Sequence, residues 1–272
     1  MVRRLAASFQ ATLRWDLPQV SILILTKNRA ALLEACLRSI DRQSFRNFEV
    51  VLVNDGSTDY TPAVIDSFTA RLNIKAITHS ASQGIAKSRQ EALRNCIGEF
   101  VAMLDDDDEW VDSGKLSRQV AFFASHPKAV LIGGGRLLRH SYEKPDGSAM
   151  VTISRPEDDA AIRKTMLLRN NFFTSTVMFR RSVALAVGGF DDGSNVTEDY
   201  DLWLRLGTQG EMYNFPEPLD IYRVPAYTKE KFRMFLQRQL ELIGRHRKDY
   251  PHYWLSAIIL RLRIALGSRP RI

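Results

Sequence analysis

The sequence predicts an α/β fold, a Rossmann-like, mostly parallel sheet with helices on both faces, followed by a helical appendage at the C-terminal end. Three observations lead there. Through the first hundred residues, short Val/Ile/Leu-rich runs alternate with longer stretches whose apolar residues recur every three or four positions. The short runs are continuously apolar, as expected of strands covered on both faces. From Lys229 onward the chain carries 11 basic and 3 acidic residues, so a strongly basic segment closes it. With 272 residues, 45% of them hydrophobic, the chain is not wholly disordered, collagen-like or of low complexity, and its core needs no disulfide or structural metal.

Taken in order, strands are expected at Val20–Leu25, Phe48–Asn54, Ile74–Thr78 and Glu99–Leu104, each bounded by turn or polar residues. Helices are expected between them at Ala30–Asp41, Thr61–Arg71 and Ile85–Cys96. Cys36 and Cys96 fall in these helices, where free cysteine acts as a small apolar residue. A helix at Lys115–Ala124 and a strand at Ala129–Gly133 follow, and then the regular alternation ends. Lys144 to Gly147 reads as a turn within a hairpin. The remainder is mixed: a helix at Asp158–Arg169, a strand at Ser175–Phe179, a helix at Glu198–Gly207 and two short strands around Met212 and Ile221. The expected organisation is a basic segment over 1–18, one domain over 19–227 and a basic helical extension over 228–272.

In a parallel sheet, ligands bind at the carboxyl ends of the strands, so chemistry is sought just after Leu25, Asn54 and Leu104. Asn54-Asp55-Gly56-Ser57-Thr58-Asp59 can be a capped strand-to-helix turn, or can aim Asp55 at a base edge or ribose hydroxyls. Leu104 is followed by Asp105, Asp106, Asp107, Asp108 and Glu109, whose mutual repulsion a divalent cation resolves. Carboxylates select hard ions such as Mg²⁺ or Mn²⁺, which bridge one or two carboxylates to substrate phosphates. Gly84 opens a helix that can receive an anion, with Lys87 and Arg89 able to approach a nucleotide. Gly188-Gly189-Phe190-Asp191 precedes Thr197-Glu198-Asp199, where the acids suit a helix dipole capped by Thr197 and also make a well-held general base.

These four features, in this order, resemble the family 2 inverting glycosyltransferases with the GT-A fold, over roughly residues 18–223. The resemblance divides the domain into a nucleotide-sugar half, about 19–110, and an acceptor half, about 111–227. It implies that Thr26, Asn28, Asp55, Arg89, Asp105 and Asp106 contact a nucleotide-sugar donor, with uridine diphosphate as the nucleotide, and that Asp107 ligates Mn²⁺ or Mg²⁺. Asp199 would be the base, and Gly189, Phe190, Glu198 and Trp203 would shape the acceptor site. The implied reaction is a single displacement onto a saccharide or lipid-linked saccharide in cell-surface polysaccharide or O-antigen synthesis, at a cytoplasmic location that includes the inner membrane face. The four-Asp run also admits Asp106 and Asp108 as the metal pair; Asp105 and Asp107 are preferred because they follow the strand directly. Many members of the family carry a His after the last core strand, whereas Tyr222 to Ala226 contain none; either Arg223 replaces its charge or the metal relies on carboxylate and phosphate alone.

Two other functions fit parts of the sequence. A sugar nucleotidyltransferase would need a Gly-rich loop after the first strand, but Thr26-Lys27-Asn28-Arg29 has no Gly. A nucleic-acid-binding protein would explain the basic ends and leave the Asp105–Asp108 run unexplained, so no nucleic-acid partner is expected. No run of about 18 to 20 apolar residues predicts a membrane span. The segment Tyr253 to Leu266 allows two readings: a helix packed on the domain, or one lying at a membrane surface with its arginines on anionic lipid.

Overall fold

The computed structural model describes residues 17–139, 150–193, 196–223 and 228–267. Its first half follows the expected alternation: β1 (Val20–Thr26), α1 (Ala30–Asp41), β2 (Phe48–Asn54), α2 (Thr61–Phe68), β3 (Ile74–Thr78), α3 (Ile85–Asn95) and β4 (Phe100–Met103). Alternate residues of β1 point to opposite faces. Val20, Ile22 and Ile24 join a core with Leu33, Leu37 and Ile40 of α1, while Leu23 packs with Ala92 and Leu93 of α3 on the other side. Burial on both faces is why these strands read as continuous apolar runs. Cys36 and Cys96 are free thiols inside these cores.

The second half contains β5 (Glu109–Trp110), α4 (Lys115–Ser125), β6 (Ala129–Arg139), β7 (Val151–Ile153), α5 (Asp159–Thr165), β8 (Met178–Arg180), α6 (Arg181–Ala186), α7 (Glu198–Gly207) and β9 (Glu211–Arg223). Two further helices, α8 (Lys229–Arg245) and α9 (Tyr253–Ala265), complete the described chain. The sheet order is β3-β2-β1-β4-β8-β6-β9-β5, with β7 paired to β6. The four strands of the first half are mutually parallel; β8 then runs antiparallel between β4 and β6.

Several expectations are corrected here. The strand expected at Ser175–Phe179 begins later, because Thr174–Thr176 forms a 3₁₀ turn before β8. The expected helix Asp158–Arg169 is shorter, with Asp158 as its N-cap, the side chain accepting from the Ala161 N–H. The two short strands are one strand, β9. Pro216 and Pro218 fall between the two expected strands, and the ladder absorbs them in irregular pairing opposite Gly134 and Gly135. β6 likewise continues past Gly133 to Arg139. The expected turn at Lys144 to Gly147 lies outside the described residues, although β6 and β7 on either side of it pair antiparallel.

The glycines of β6 are set by this pairing: a Cβ on Gly135 would lie 2.9 Å from the Pro216 carbonyl oxygen and 3.1 Å from that of Glu217. Those neighbours are backbone and cannot rotate aside. Gly135→Ala is therefore expected to cost about 1–3 kcal/mol of stability, the usual scale of overpacking, read as a lower urea midpoint with an unchanged m-value.

Candidate active site

β1 lies between β2 and β4, where the winding order of the sheet reverses, so a crevice opens at the carboxyl ends of β1 and β4. Thr26 is buried at the end of β1. Asn28 has a positive φ of 53°, a conformation Asn tolerates, and it ties this loop to the next. Its N–H donates to Ser57 Oγ at 2.9 Å and its Oδ1 accepts from the Thr58 N–H at 2.7 Å. Arg29, which sequence reasoning left without a role, spans the crevice: its Nη1 donates to Asp106 at 2.8 Å and to Asp107 at 2.9 Å.

The acidic run forms a tight turn between β4 and β5, closed by the Asp108 N–H donating to the Asp105 carbonyl. Burial alternates along it: Asp106 and Asp108 are buried, whereas Asp105 and Asp107 are partly open. Asp108 accepts from Ser175 Oγ at 2.5 Å and faces Arg136, which also pairs with buried Asp220. The Arg136 guanidinium stands 4.4 Å from the Phe173 ring centroid and 4.1 Å from that of Tyr222. Ser175 also accepts from the Asp105 N–H, so this buried network fixes the turn from beneath. Burial raises Asp106 to about 6 even against Arg29, and pushes Asp108 well above the usual carboxylate range. Burial and the neighbouring Asp105 charge also raise Asp107, while the positive charge of Arg223, paired with Glu109, acts in the opposite direction.

Among the described residues, no three His, Cys, Asp or Glu side chains converge as a ready cation cage. Asp105 and Asp107 are nevertheless partly open and stand two residues apart on one turn, where the Asp105 charge helps to raise Asp107. That donor set fits a hard divalent ion shared with the phosphates of a ligand, which needs only one or two protein carboxylates.

Arg89 was expected to assist a nucleotide, and here it does something else. Its buried guanidinium donates to Asp105 at 2.6 Å and to Glu198 at 2.5 Å, joining the turn after β4 to the first residue of α7. Burial raises the Glu198 pKa, and the nearby Asp199 charge adds to it while Arg89 works against both. Glu198 is thus committed to Arg89 and does not open toward an acceptor. Asp199 is less buried; its Oδ2 accepts from Thr174 Oγ1 at 2.5 Å and its Oδ1 from the Tyr200 N–H at 2.6 Å. Thr197 sits at the N-cap position of α7 without making a side-chain capping bond.

Asp55 is also redirected. One oxygen accepts from His79 Nδ1 at 2.8 Å and the Gln83 N–H at 2.7 Å, the other from Ser82 Oγ at 2.5 Å and the Gly84 N–H at 3.1 Å. The anion received at the start of α3 is therefore the chain's own Asp55, and all four contacts clamp the 79–84 loop. Burial alone would raise this carboxyl, but the hydrogen bonds, Ser82 foremost, hold it well below the usual range. His79 shows the reverse balance: burial lowers it, and its bonds to Asp55 and Glu91 outweigh that and raise it.

Gly189 and Phe190 form a turn gripped by Gln90, whose Nε2 donates to the Gly188 carbonyl and whose Oε1 accepts from the Phe190 N–H. Gly189 has a φ of 74°, and a Cβ there would lie 2.1 Å from Gln90 Oε1. Phe190 and Trp203 are buried in the core, Trp203 against Phe172 and Phe179, so neither offers its ring to an acceptor. A cavity of about 1060 Å³ borders this turn between α3 and the end of α8, with Lys87, Arg94 and Arg245 on its wall. None of Asp105, Asp107 or Asp199 lines it. Those three stand elsewhere, Asp105 and Asp107 in the turn after β4 and Asp199 at the start of α7.

The model of the family described as "Glycosyl transferase family 2" matches residues 21–188. A Haemophilus influenzae protein described as an uncharacterized glycosyltransferase is 30% identical over 200 residues, spanning 73% of this chain and 72% of that one. Among solved structures, mannosyltransferase PcManGT from Pyrobaculum calidifontis, in complex with GDP-Man and Mn²⁺, superposes with a TM-score of 0.66 at 21% identity, over 92% of this chain and 70% of that one. S. aureus TarS 1–349 in complex with UDP gives a TM-score of 0.65 at 20% identity, over 90% and 71%. These two likenesses establish the GT-A-type fold.

Two outcomes test the contacts described. Arg89→Met leaves Glu198 buried without its cation and is expected to cost about 3–5 kcal/mol in urea unfolding, much of it recovered in Arg89→Met/Glu198→Met. His79, with its pKa raised by folding, contributes stability that is complete below the unfolded value of about 6.5 and is lost as pH rises through the folded value. The Tm advantage of the native chain over His79→Gln should therefore shrink from pH 6 to pH 9; a constant difference would exclude a charged His79 as the clamp.

Proposed function

The chain belongs to glycosyl transferase family 2, and we propose that it transfers a sugar, with inversion, from a nucleoside-diphosphate sugar to a hydroxyl of a saccharide or lipid-linked saccharide acceptor. The observation that supports this reading is the Arg89 bridge, which ties Asp105 of the acidic turn to Glu198 of the acid pair Glu198-Asp199. The division into a domain over 19–227 and an extension over 228–272 belongs to the same proposal. So does action in cell-surface polysaccharide synthesis at the cytoplasmic face of the membrane. UDP is the proposed nucleotide; the GDP-mannose and Mn²⁺ of one structural neighbour and the UDP of another support a nucleotide-sugar donor and a divalent ion.

Asp107, with Asp105 beside it, would hold Mn²⁺ or Mg²⁺. When bound there, the ion supplies positive charge against a leaving diphosphate. The residues of the chain supply the rest. Asn28 and Arg29, exposed after β1, would face the donor, whereas Thr26 is buried beneath them and would support the loop; Arg29 balances Asp106 and Asp107 before a ligand arrives. The acceptor oxygen attacks the anomeric carbon as the bond from that carbon to the diphosphate oxygen breaks, and the proton of the hydroxyl passes to Asp199. Asp199 suits this task better than Glu198, because its side-chain partner is the neutral Thr174 hydroxyl and not a buried guanidinium.

A panel of nucleoside diphosphates with and without Mn²⁺ tests donor recognition: at 100 times its dissociation constant a ligand stabilises by about 2.7 kcal/mol, a readable rise in Tm. Asp107→Asn should abolish the Mn²⁺-dependent part of that rise with the fold intact, and no rise with any diphosphate would reject the donor site. Asp199→Asn should keep the rise and lower transfer by about 10²-fold or more. If Asp199 serves only the helix dipole, the variant instead loses about 0.3–1 kcal/mol of stability and transfers normally.

A further inference from the structure

The helix α9 has two unlike sides. One side packs on the protein: Ser256, Ala257 and Leu260 are buried, and Tyr253 and Ile264 pack against the same core as Phe232 and Leu236 of α8. The other side does not. Trp254, Leu255, Ile258, Ile259, Leu262 and, just beyond the helix, Leu266 are each 40–78% exposed. At 3.6 residues per turn these six share one continuous face opposite the buried one. Arg261 falls on one border between the two faces and Arg263 on the other, the latter with its guanidinium 5.4 Å from the Phe232 ring centroid.

We propose that this outward face of α9 is a docking surface for an anionic lipid bilayer, on which the helix lies flat with its six apolar residues in the headgroup boundary and Arg261 and Arg263 on lipid phosphates. Thirteen residues at about 1.5 Å each reach only about 20 Å, short of the roughly 30 Å hydrocarbon core, so the helix lies along the surface and does not cross it. Among the described residues no helix is long and apolar enough to cross. Charge selects the occupant. The segment from Lys229 carries 11 basic against 3 acidic residues, so a second copy seated on this face would set arginine against arginine, whereas an anionic surface supplies the opposite charge. Trp254 at one end of the face suits the water–lipid boundary. This surface deepens the proposal of a lipid-linked acceptor, which would present its hydroxyl at the same boundary.

The test is co-sedimentation of the full chain, without donor, on vesicles of phosphatidylcholine alone or mixed equally with phosphatidylglycerol. The native chain should pellet with the mixed vesicles. Ile258→Glu/Leu262→Glu should reduce partitioning by at least about a hundredfold, since two apolar side chains no longer enter lipid. Both positions are exposed, so its unfolding midpoint should match the native one, which separates lost docking from lost folding. Arg261→Gln/Arg263→Gln should weaken binding about fivefold per arginine on mixed vesicles alone. Equal partitioning of the glutamate variant, or no preference for mixed vesicles, overturns the proposal. So does a native dimer that the glutamate substitutions convert to monomer, because the face then belongs to a second copy. Donor binding, measured by Tm without vesicles, fails or succeeds separately, so loss of one reading does not imply loss of the other.

Discussion

The Arg89 guanidinium, buried between Asp105 and Glu198, is the contact on which the candidate site depends. Neither carboxylate would hold its place alone: Glu198 is buried at the start of α7 and Asp105 stands in a turn crowded with like charge. An unpaired charge at buried Glu198 costs several kcal/mol, and a rigid guanidinium with donors in a fixed fork can serve both carboxylates at once. Lysine, a point charge, would not. Through this contact the sheet end at β4 and the helix α7, whose acids stand 109 residues beyond Arg89 in the chain, form one wall.

Beneath that wall, a second charged cluster performs a different task. Arg136 pairs with Asp220, faces Asp108 and lies between the rings of Phe173 and Tyr222. With Ser175 bonded to both Asp108 and the Asp105 N–H, it determines which members of the acidic run turn inward. Asp108 is held there and Asp106 is buried against Arg29, while Asp105 and Asp107 stay partly open. The arrangement makes the acidic turn stable before any cation binds, because Arg29 and Arg136 already divide its charge between two sides of the strand.

Asp55 and His79 show how a recognised motif can be put to structural use. The Asp-Gly turn after β2 was legible, and so was the helix start at Gly84, but their meeting was not. Asp55 takes the N–H groups of Gln83 and Gly84 as well as two side-chain donors, so the loop that opens α3 is set by β2, and with it the position of Arg89 one turn into that helix. Helix α9 belongs to the same pattern: the sequence displays its apolar residues and arginines, while only the packing against α8 separates the covered face from the exposed one.

By itself the sequence determined the alternation of strands and helices through β4, because continuous apolar runs and 3.6-residue periods are local properties of the chain. It also determined where charge collects, at Asp105–Asp108, at Glu198-Asp199 and beyond Lys229. It divided β9 into two short strands, and it gave no sign that Phe190 and Trp203, expected at the acceptor site by resemblance, are buried. Arg29, His79, Gln90 and Arg136 carried no local signal, since an isolated polar residue in a strand end or helix looks the same whether it meets water or a distant carboxylate. Tertiary structure alone decided those pairings. Hydrogen bonds and ion pairs between residues 12 to 100 positions apart depend on the order in which strands join the sheet, and no periodicity in a linear chain records that order.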